Sequence, residues 1–418
     1  MDSKDGASPN DVDRTFRFFL ASRAFRSVGL IFVTLAIPLY LFALRYSLIT
    51  IGLIYFVIIS FNVALVLLLG AFGDRVGYKK ALIVGEFFPL AALILLALST
   101  NIYYVITAAI IGGVAGVAGG MRGTFSPGST ALIVSNWHGE KDRVNRFGKI
   151  TAVGSAASIF GALLLSFHGF LSDYISSVYA FRLFFGVSAF FVFLSLISLF
   201  FVKEVRRPKK TTRIMKKSSF KYSFRVIIAN IVNGFGLGIA LPLLPLWFSV
   251  SYGVNTTLIG YLYMVSYAST SIGGYIASRS AYSEKFSALN TASYTRSFMG
   301  IALVGIALSP FFAIAGAIFV VRSLIAGIGS PSRSAVNLRG VDTQDYGTAS
   351  SAIGVANRLS LTSSGLSGYL MDVSLPSPMF LGGIMQIFGG LLYLRILKPK
   401  NVNARGIKQG GRLHHRSR

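Results

Sequence analysis

Residues 70–80 read Gly70-Ala71-Phe72-Gly73-Asp74-Arg75-Val76-Gly77-Tyr78-Lys79-Lys80, and long apolar runs precede and follow this segment. The segment carries one carboxylate and three cations in a stretch rich in glycine. Hydrocarbon cannot hydrate such charges, so the segment is predicted to lie in water at one face of a membrane. The flanking runs then predict two membrane-spanning helices joined by a tight turn.

The composition extends this prediction to the whole chain. Of 418 residues, 53% are hydrophobic and 13% charged, and the mean hydropathy is +0.66, which is too apolar for a water-soluble domain. At roughly 20 residues per span, the length predicts an all-α integral membrane protein with about twelve transmembrane helices. The predicted spans are 16–44, 50–72, 79–98, 101–136, 147–171, 179–202, 224–250, 257–279, 286–308, 311–336, 348–371 and 379–398. The fourth and tenth are overlong, so each is expected to end near its Ser-Pro pair, at Ser126-Pro127 and Ser330-Pro331, and to continue as a cytoplasmic extension.

The net charge of +26 is distributed as a membrane topology requires, which argues against nucleic-acid binding. Nine cations lie between Lys203 and Lys221 and seven between Lys398 and Arg418, and alternate loops carry most of the others, including Arg333 and Arg339. Positive loops stay in the cytoplasm. We therefore expect a multi-pass protein of the cell membrane with both termini and the central linker cytoplasmic.

An internal repeat at an offset of 204 residues divides the chain. Pro38 aligns with Pro242, Gly70 with Gly274, and Arg75 with Arg279. The expected organisation is an N-terminal six-helix half at 1–202, a basic cytoplasmic linker at 203–223, a C-terminal six-helix half at 224–398, and a basic tail at 399–418. In the second copy of the loop Ser278 replaces Asp74, so functional weight rests on the first.

The pattern Gly-x-x-x-Asp-Arg-x-Gly-x-Lys-Lys at 70–80 resembles the signature loop between the second and third helices of the major facilitator superfamily of secondary transporters. That resemblance implies twelve helices in two six-helix repeats, with the solute site near the midplane between them. It also implies that the loop latches the cytoplasmic ends together in the outward-facing state. The implied latch residues are Gly70, Gly73, Asp74, Arg75, Gly77, Lys79, Lys80, Glu140 and Arg143. The alternative is that Asp74 only caps the third helix.

Ionisable residues inside spans are costly and mark the expected solute site. In the resembled fold the first, tenth and eleventh helices line the cavity, so Arg26, Arg322 and Arg358 could converge there on an anionic solute. The predicted substrate-binding set is Arg26, Arg122, Asn230, Asn233, Arg322, Asn357 and Arg358. The alternative is that these arginines bond carbonyls or polar neighbours and only fix helix packing. Glu86 is the only carboxylate well inside a span and is the candidate for proton coupling.

The motifs for covalent or metal chemistry are missing from the sequence. It has no phosphate-binding loop, no His-Glu-x-x-His and no cysteine, so we expect neither an enzyme nor a cofactor or metal. We expect a monomeric secondary transporter that moves a small organic solute by alternating access, either a drug-like efflux substrate or an organic anion. Its partners are then the solute, the lipid bilayer and a coupling proton. The alternative is a non-transporting membrane sensor or partner subunit on the same fold.

Small residues also recur at four-residue spacing, as Ala157 and Gly161 and as Ser364 and Gly368. Such spacing lets helix backbones approach closely in a membrane. It predicts either packing alone or contacts that let the two halves rock.

Overall fold

The computed structural model describes residues 9–113, 132–133, 136, 140–204, 215–280, 287–342 and 345–398. These residues form α-helices and no strand. The helices are α1 (Pro9–Ala43), α2 (Leu48–Val76), α3 (Tyr78–Leu98), α4 (Ile102–Gly112), α5 (Glu140–Leu171), α6 (Ser177–Phe200), α7 (Lys217–Ala240), α8 (Leu244–Tyr252), α9 (Thr256–Ser280), α10 (Ala288–Ala307), α11 (Phe312–Leu338), α12 (Tyr346–Ser360), α13 (Gly365–Val373) and α14 (Ser377–Leu397). A 3-10 turn, Leu361–Ser364, joins α12 to α13.

Eight of these helices are long and apolar enough to cross a membrane: α1, α2, α3, α5, α6, α7, α11 and α14. This confirms an all-α, multi-pass membrane protein. Helices α9 and α10 have 25 and 20 residues, enough to span, but they carry many Ser, Thr and Tyr residues. The count of twelve spans and the division into two repeats stay predictions.

Two predicted spans are wrong as continuous helices. The span at 224–250 is split, since α7 ends at Ala240 and α8 starts at Leu244. Pro242 and Pro245 lie at this break, and proline has no N–H to continue an α-helical ladder. The span at 348–371 is likewise divided by the turn Leu361–Ser364.

The tenth predicted span continues past Ser330-Pro331 as a helix, as its expected extension allows, whereas the loop predicted around Arg333 is wrong. Helix α11 runs through Pro331 and ends at Leu338. Arg333 is therefore a helical residue and not a loop residue. For the fourth span, α4 ends at Gly112 and Gly113 adopts the left-handed conformation (φ 57°), while Ser126-Pro127 lies outside the described residues.

Polar side chains begin several helices by accepting from backbone N–H groups that have no partner inside the helix. Ser47 Oγ accepts from Thr50 N at 3.2 Å, and Asn101 Oδ1 accepts from Tyr103 N at 3.0 Å. Asn255 Oδ1 accepts from Leu258 N at 3.1 Å at the start of α9. These caps place the helix ends at the short loops of one end of the bundle.

Two groups of helices pack together. In the N-terminal group, α1 packs on α5 and α6, and α3 packs on α4 and α6. In the C-terminal group, α14 packs on α7 and α10, and α11 packs on α9 and α10. Between the groups, α5 contacts α9, α2 contacts α13, and α1 contacts α8.

Glycine lets the helix backbones inside each group approach closely. A Cβ on Gly161 of α5 would lie 2.7 Å from the Val28 carbonyl oxygen of α1. On α14, a Cβ on Gly382 would lie 2.7 Å from Gly236 O, and one on Gly383 would lie 2.7 Å from Gly300 O. Such contacts replace hydrophobic burial as the source of helix association in lipid.

Candidate functional site

A cavity of about 210 Å³ lies between the two groups of helices. The N-terminal group contributes four lining residues, from α1 and α5, and the C-terminal group contributes the others. The lining residues are Thr34, Leu35, Ser155, Ser158, Leu237, Leu241, Pro242, Leu244, Pro245, Tyr263, Ser266, Tyr267, Thr270, Met299, Phe319, Arg322, Ser323, Ala326 and Arg333.

Arg322 of α11 is the most unusual group in this lining. Its exposed fraction is only 5%, and its Nε is buried without a hydrogen-bond partner. No carboxylate or hydrogen-bond acceptor among the residues that the structure describes contacts its guanidinium. Burying an uncompensated charge is costly, so Arg322 is a cation that a ligand could stabilise.

Arg333 brings a second guanidinium to the same cavity. Its Nη2 donates to the Ala326 carbonyl at 2.9 Å, which draws the side chain back along α11 toward Arg322. The Arg333 charge lies within electrostatic reach of Arg322 and Arg296, and its Nη1 is buried without a partner.

The charge pattern of the sequence predicts a cytoplasmic loop at Arg333, whereas the structure places this residue in the cavity wall. The signal was its spacing of eleven residues from Arg322, which is close to three helical turns and places both on one face of α11.

Hydroxyl groups surround the two cations. Thr270 Oγ1 donates to the Ser266 carbonyl at 2.9 Å and lies 3.1 Å from the Ser323 carbonyl, so α9 and α11 meet beside Arg322. Ser323 Oγ donates to the Phe319 carbonyl at 2.8 Å. Ser266 Oγ differs from these, because it is buried and makes no hydrogen bond. The wall can therefore offer a hydroxyl donor as well as charged donors.

The acidic residues do not balance these cations. Between Lys217 and Val341 the only acidic residue in the sequence is Glu284, which lies outside the described residues. Arg296 of α10 has other partners, since its Nη2 donates to Asn230 Oδ1 at 2.6 Å and its guanidinium lies 4.0 Å from the Tyr393 ring centroid. Asn230 thus contacts a protein cation. The positive charge of the described cavity lining comes from Arg322 and Arg333.

Arg26 and Glu86, predicted separately as a solute ligand and a coupling acid, form a buried ion pair with each other. Ser195 Oγ donates to Glu86 Oε1 at 3.0 Å and lies 2.9 Å from Ser22 Oγ. The pair therefore joins α1, α3 and α6 inside the N-terminal group. Neither residue lines the cavity. Contact between Arg26 and a solute stays a prediction.

The other predicted substrate residues lie apart from Arg322. Asn233 of α7 is buried where α7 packs on Gly389 of α14. Asn357 and Arg358 of α12 are half-buried and are not among the cavity-lining residues. Arg122 lies outside the described residues.

The signature segment forms the turn between α2 and α3. Gly77 is the single residue between these helices, with φ 119° and ψ 145°, a conformation that L side chains rarely adopt. Gly73 is buried, and a Cβ there would lie 3.0 Å from the Tyr78 ring, whereas a Cβ on Gly70 would meet no atom within 4 Å. The turn therefore needs glycine at 77, and Gly70 has open space.

Glu204, which our sequence analysis did not select, caps the helix after this turn. Its Oε1 accepts from Tyr78 N at 2.8 Å and its Oε2 from Lys79 N at 2.9 Å. Lys79 Nζ in turn donates to the Phe200 carbonyl at 2.7 Å. Backbone N–H groups at the start of α3 and a backbone carbonyl at the end of α6 thus find hydrogen-bond partners within the N-terminal group. A carboxylate that immediately follows the sixth predicted span was the available signal.

The remaining latch residues are described only in part. Arg75 and Lys80 are exposed. The side chains of Asp74, Glu140 and Arg143 lie outside the described residues, so their latch contacts stay predictions.

The two groups of helices meet at one end of the bundle, here called the contact end, which holds the loops 44–47, 172–176, 253–255 and 374–376. Between α2 and α13, a Cβ on Gly52 would lie 2.9 Å from Gly365 O, and one on Gly368 would overlap the Leu48 carbonyl. Between α5 and α9, Ser166 Oγ donates to the Thr257 carbonyl at 3.1 Å. Close backbone approach and side-chain hydrogen bonds therefore join the two groups at this end.

His168 adds a polar contact at the contact end. It is 1% exposed, and its ring stacks on Phe181 with centroids 3.7 Å apart. Its Nε2 lies 3.2 Å from the Ser177 carbonyl, which can only accept, so Nε2 carries the proton. Its Nδ1 lies 2.9 Å from Thr256 Oγ1 and, in the neutral ring, accepts from that hydroxyl. His168 therefore links α5 to the start of α9.

Solved structures of several transporters share this fold. A bacterial homologue of the human lysosomal transporter Spinster, in an inward-facing and unoccupied conformation, matches with a TM-score of 0.65 and 13% identity, over 94% of this chain and 98% of that one. A proton-dependent oligopeptide transporter matches with a TM-score of 0.69 and 11% identity, over 92% and 98%. An auto-inhibited peptide transporter of the POT family matches with a TM-score of 0.70 and 11% identity, over 94% and 98%.

No curated protein matches the sequence significantly. The family model described as Major Facilitator Superfamily matches residues 17–365, which is most of the chain and includes the signature turn and Arg322. The chain therefore belongs to the major facilitator superfamily of membrane transporters.

Proposed function

We propose that the chain is a monomeric secondary transporter that moves a small organic solute across the cell membrane by alternating access. The observation that carries this proposal is a cavity lined by both groups of helices, with the two groups in backbone contact at the contact end. A carrier needs a central site that is closed toward one side at a time. A sensor needs a ligand site but no paired closure of two helix groups.

In this proposal, the distribution of positive charge indicates which end of the helix bundle faces the cytoplasm. The described residues of the two cation-rich segments, 203–204, 215–221 and 398, are at the opposite end of the helices from the contact end, and positive loops favour the cytoplasm. The contact end then faces outward, both termini are cytoplasmic, and the described state is open toward the cytoplasm. The structural neighbour related to Spinster is also described as inward-facing.

Under this proposal the signature turn acts at the cytoplasmic face, as the resemblance implies. The halves 1–202 and 224–398 would rock about the central cavity, and Asp74 and Arg75 would help to latch their cytoplasmic ends in the outward-facing state.

Proton coupling is assigned in this proposal to Glu86, because protonation would remove the charge that holds Arg26. Two of the structural neighbours are peptide transporters described as proton-dependent or as relatives of human drug and peptide transporters. Imposing a pH gradient on proteoliposomes should accelerate solute uptake by the wild-type protein and not by Glu86→Gln.

Counterflow in proteoliposomes tests transport itself. Purified protein is reconstituted, the vesicles are loaded with unlabelled benzoate, glycerol phosphate or ethidium, and exchange with the labelled compound outside is measured. Protein-dependent exchange of at least one compound, absent from empty liposomes, is the expected result. No exchange of any probe, together with specific binding of one of them, would favour the sensor over the transporter.

A further inference from the structure

We propose that the central cavity binds a small organic oxyanion, carrying a carboxylate or phosphate on a short apolar body, through Arg322 with help from Arg333 and Ser266. That this anion is the transported solute rests on the proposed function. The binding site itself stands on the geometry of the cavity.

The charge of the site is the first reason. Arg322 is buried at 5% exposure and has neither an ion-pair nor a hydrogen-bond partner among the described residues, and Arg333 lies within electrostatic reach of it. Two cations that line one cavity repel each other and are costly to desolvate unless an anion neutralises them. A guanidinium presents a planar fork of donors that matches carboxylate and phosphate oxygens.

The donors left over in the cavity point to the same ligand. Arg322 Nε, Arg333 Nη1 and Ser266 Oγ are all buried without a partner in the part of the chain that the structure describes, and all three residues line the cavity. Each of these atoms can donate a hydrogen bond, and two of the three belong to side chains that cannot accept one. A ligand that satisfies them must supply acceptor oxygens, which an oxyanion does and a cation does not.

The rest of the wall limits the body of the ligand. Leu244, Met299 and Phe319 give apolar surface, and Tyr263 contributes an aromatic ring. A cavity of about 210 Å³ lies below the ~300–1,000 Å³ of sites for drug-sized ligands. The volume of the site therefore suits a small acid with a few apolar carbon atoms better than a large multidrug substrate.

The other buried cations are less suited to this role. Arg26 already pairs with Glu86. Arg296 donates to Asn230 and does not line the cavity, although two of its nitrogens are buried without a partner among the described residues. Arg225 of α7 is half-buried outside the lining, so Arg225→Gln is a matched control that removes a guanidinium from the same group of helices without touching the cavity.

Binding to the detergent-purified full chain is measured by isothermal titration with three pairs of probes that differ mainly in charge: benzoate and benzamide, butyrate and butyramide, glycerol phosphate and glycerol. At least one anion is expected to bind at least about tenfold more tightly than its neutral partner. Arg322→Gln should weaken that anion about 10- to 100-fold, as loss of charged hydrogen bonds predicts. Arg322→Lys should weaken it less, and Arg225→Gln should leave it within about twofold.

Failure of this inference differs from failure of the transport proposal. Binding of no anion, equal binding of each anion and its neutral partner, or equal loss in Arg322→Gln and Arg225→Gln would each overturn the anion site. The comparison within the wild-type protein decides the question even if Arg322→Gln does not fold. Anion binding without counterflow would support the anion site and contradict the transport proposal. Counterflow of ethidium alone would support the transport proposal and contradict the anion site.

Discussion

The buried pair Arg26–Glu86 predicts a large and specific loss of stability when one partner is removed. Glu86 is fully buried, and it accepts from Arg26 and from Ser195. Glu86→Gln keeps an oxygen for Ser195 and removes the charge, which leaves Arg26 buried without its carboxylate. Removing one partner of a buried pair costs about 3–5 kcal/mol, so we expect a loss of about 3 kcal/mol or more in the free energy of unfolding.

The double variant Arg26→Met/Glu86→Leu separates this cost from the value of the pair. Replacing both charges with apolar groups of similar size removes the desolvation penalty, and such replacements are often neutral or stabilising by about 1–4 kcal/mol. The double variant should therefore recover most of the stability that Glu86→Gln loses. Its coupling energy then measures the interaction between the two sites.

The assay is reversible unfolding of the purified protein in mixed micelles with increasing dodecyl sulfate. Asp342→Asn is the matched control, because it breaks the partly exposed ion pair of Lys216 with Asp342, for which we expect less than about 1 kcal/mol. Equal stability of Glu86→Gln and Asp342→Asn, or a double variant as unstable as the single one, would refute the reasoning that Glu86 compensates a buried cation.

Three further predictions concern the ends of the bundle. Gly77→Leu should abolish counterflow while leaving membrane insertion intact, because position 77 has φ 119°, whereas Gly70→Ala in open space should transport normally; counterflow and expression levels compare the two. Asn255→Cys in this cysteine-free chain should react with impermeant maleimide from outside the cell. Reaction only from the cytoplasm would contradict the proposed orientation of the chain in the membrane. Gly368→Val should keep the contact end open, because its side chain would overlap the Leu48 carbonyl. It should therefore raise outside labelling of a cysteine near the cavity and lower counterflow below about a tenth of wild type. Unchanged labelling would contradict closure by backbone contact.

Much of the fold was accessible from sequence because the bilayer imposes a length and a polarity on each span. Spans such as 79–98 and 379–398 differ from α3 and α14 by at most two residues at either end. The breaks in α7–α8 and α12–α13 were missed, as was the helical position of Arg333 in α11. Hydropathy reports that a segment crosses the membrane and does not report whether its hydrogen-bond ladder is continuous.

The sequence by itself determined the class of protein, the glycine turn at 70–80 and the family resemblance, since these depend on local composition and spacing. Tertiary structure alone decided which charges are compensated. Glu86 and Arg26 are 60 residues apart and meet because α1 and α3 both contact α6. Arg322 and Arg333 share one face of α11, and both side chains line the cavity. Pairing of buried charges depends on the three-dimensional packing of helices, which residue types and their periodicity do not specify.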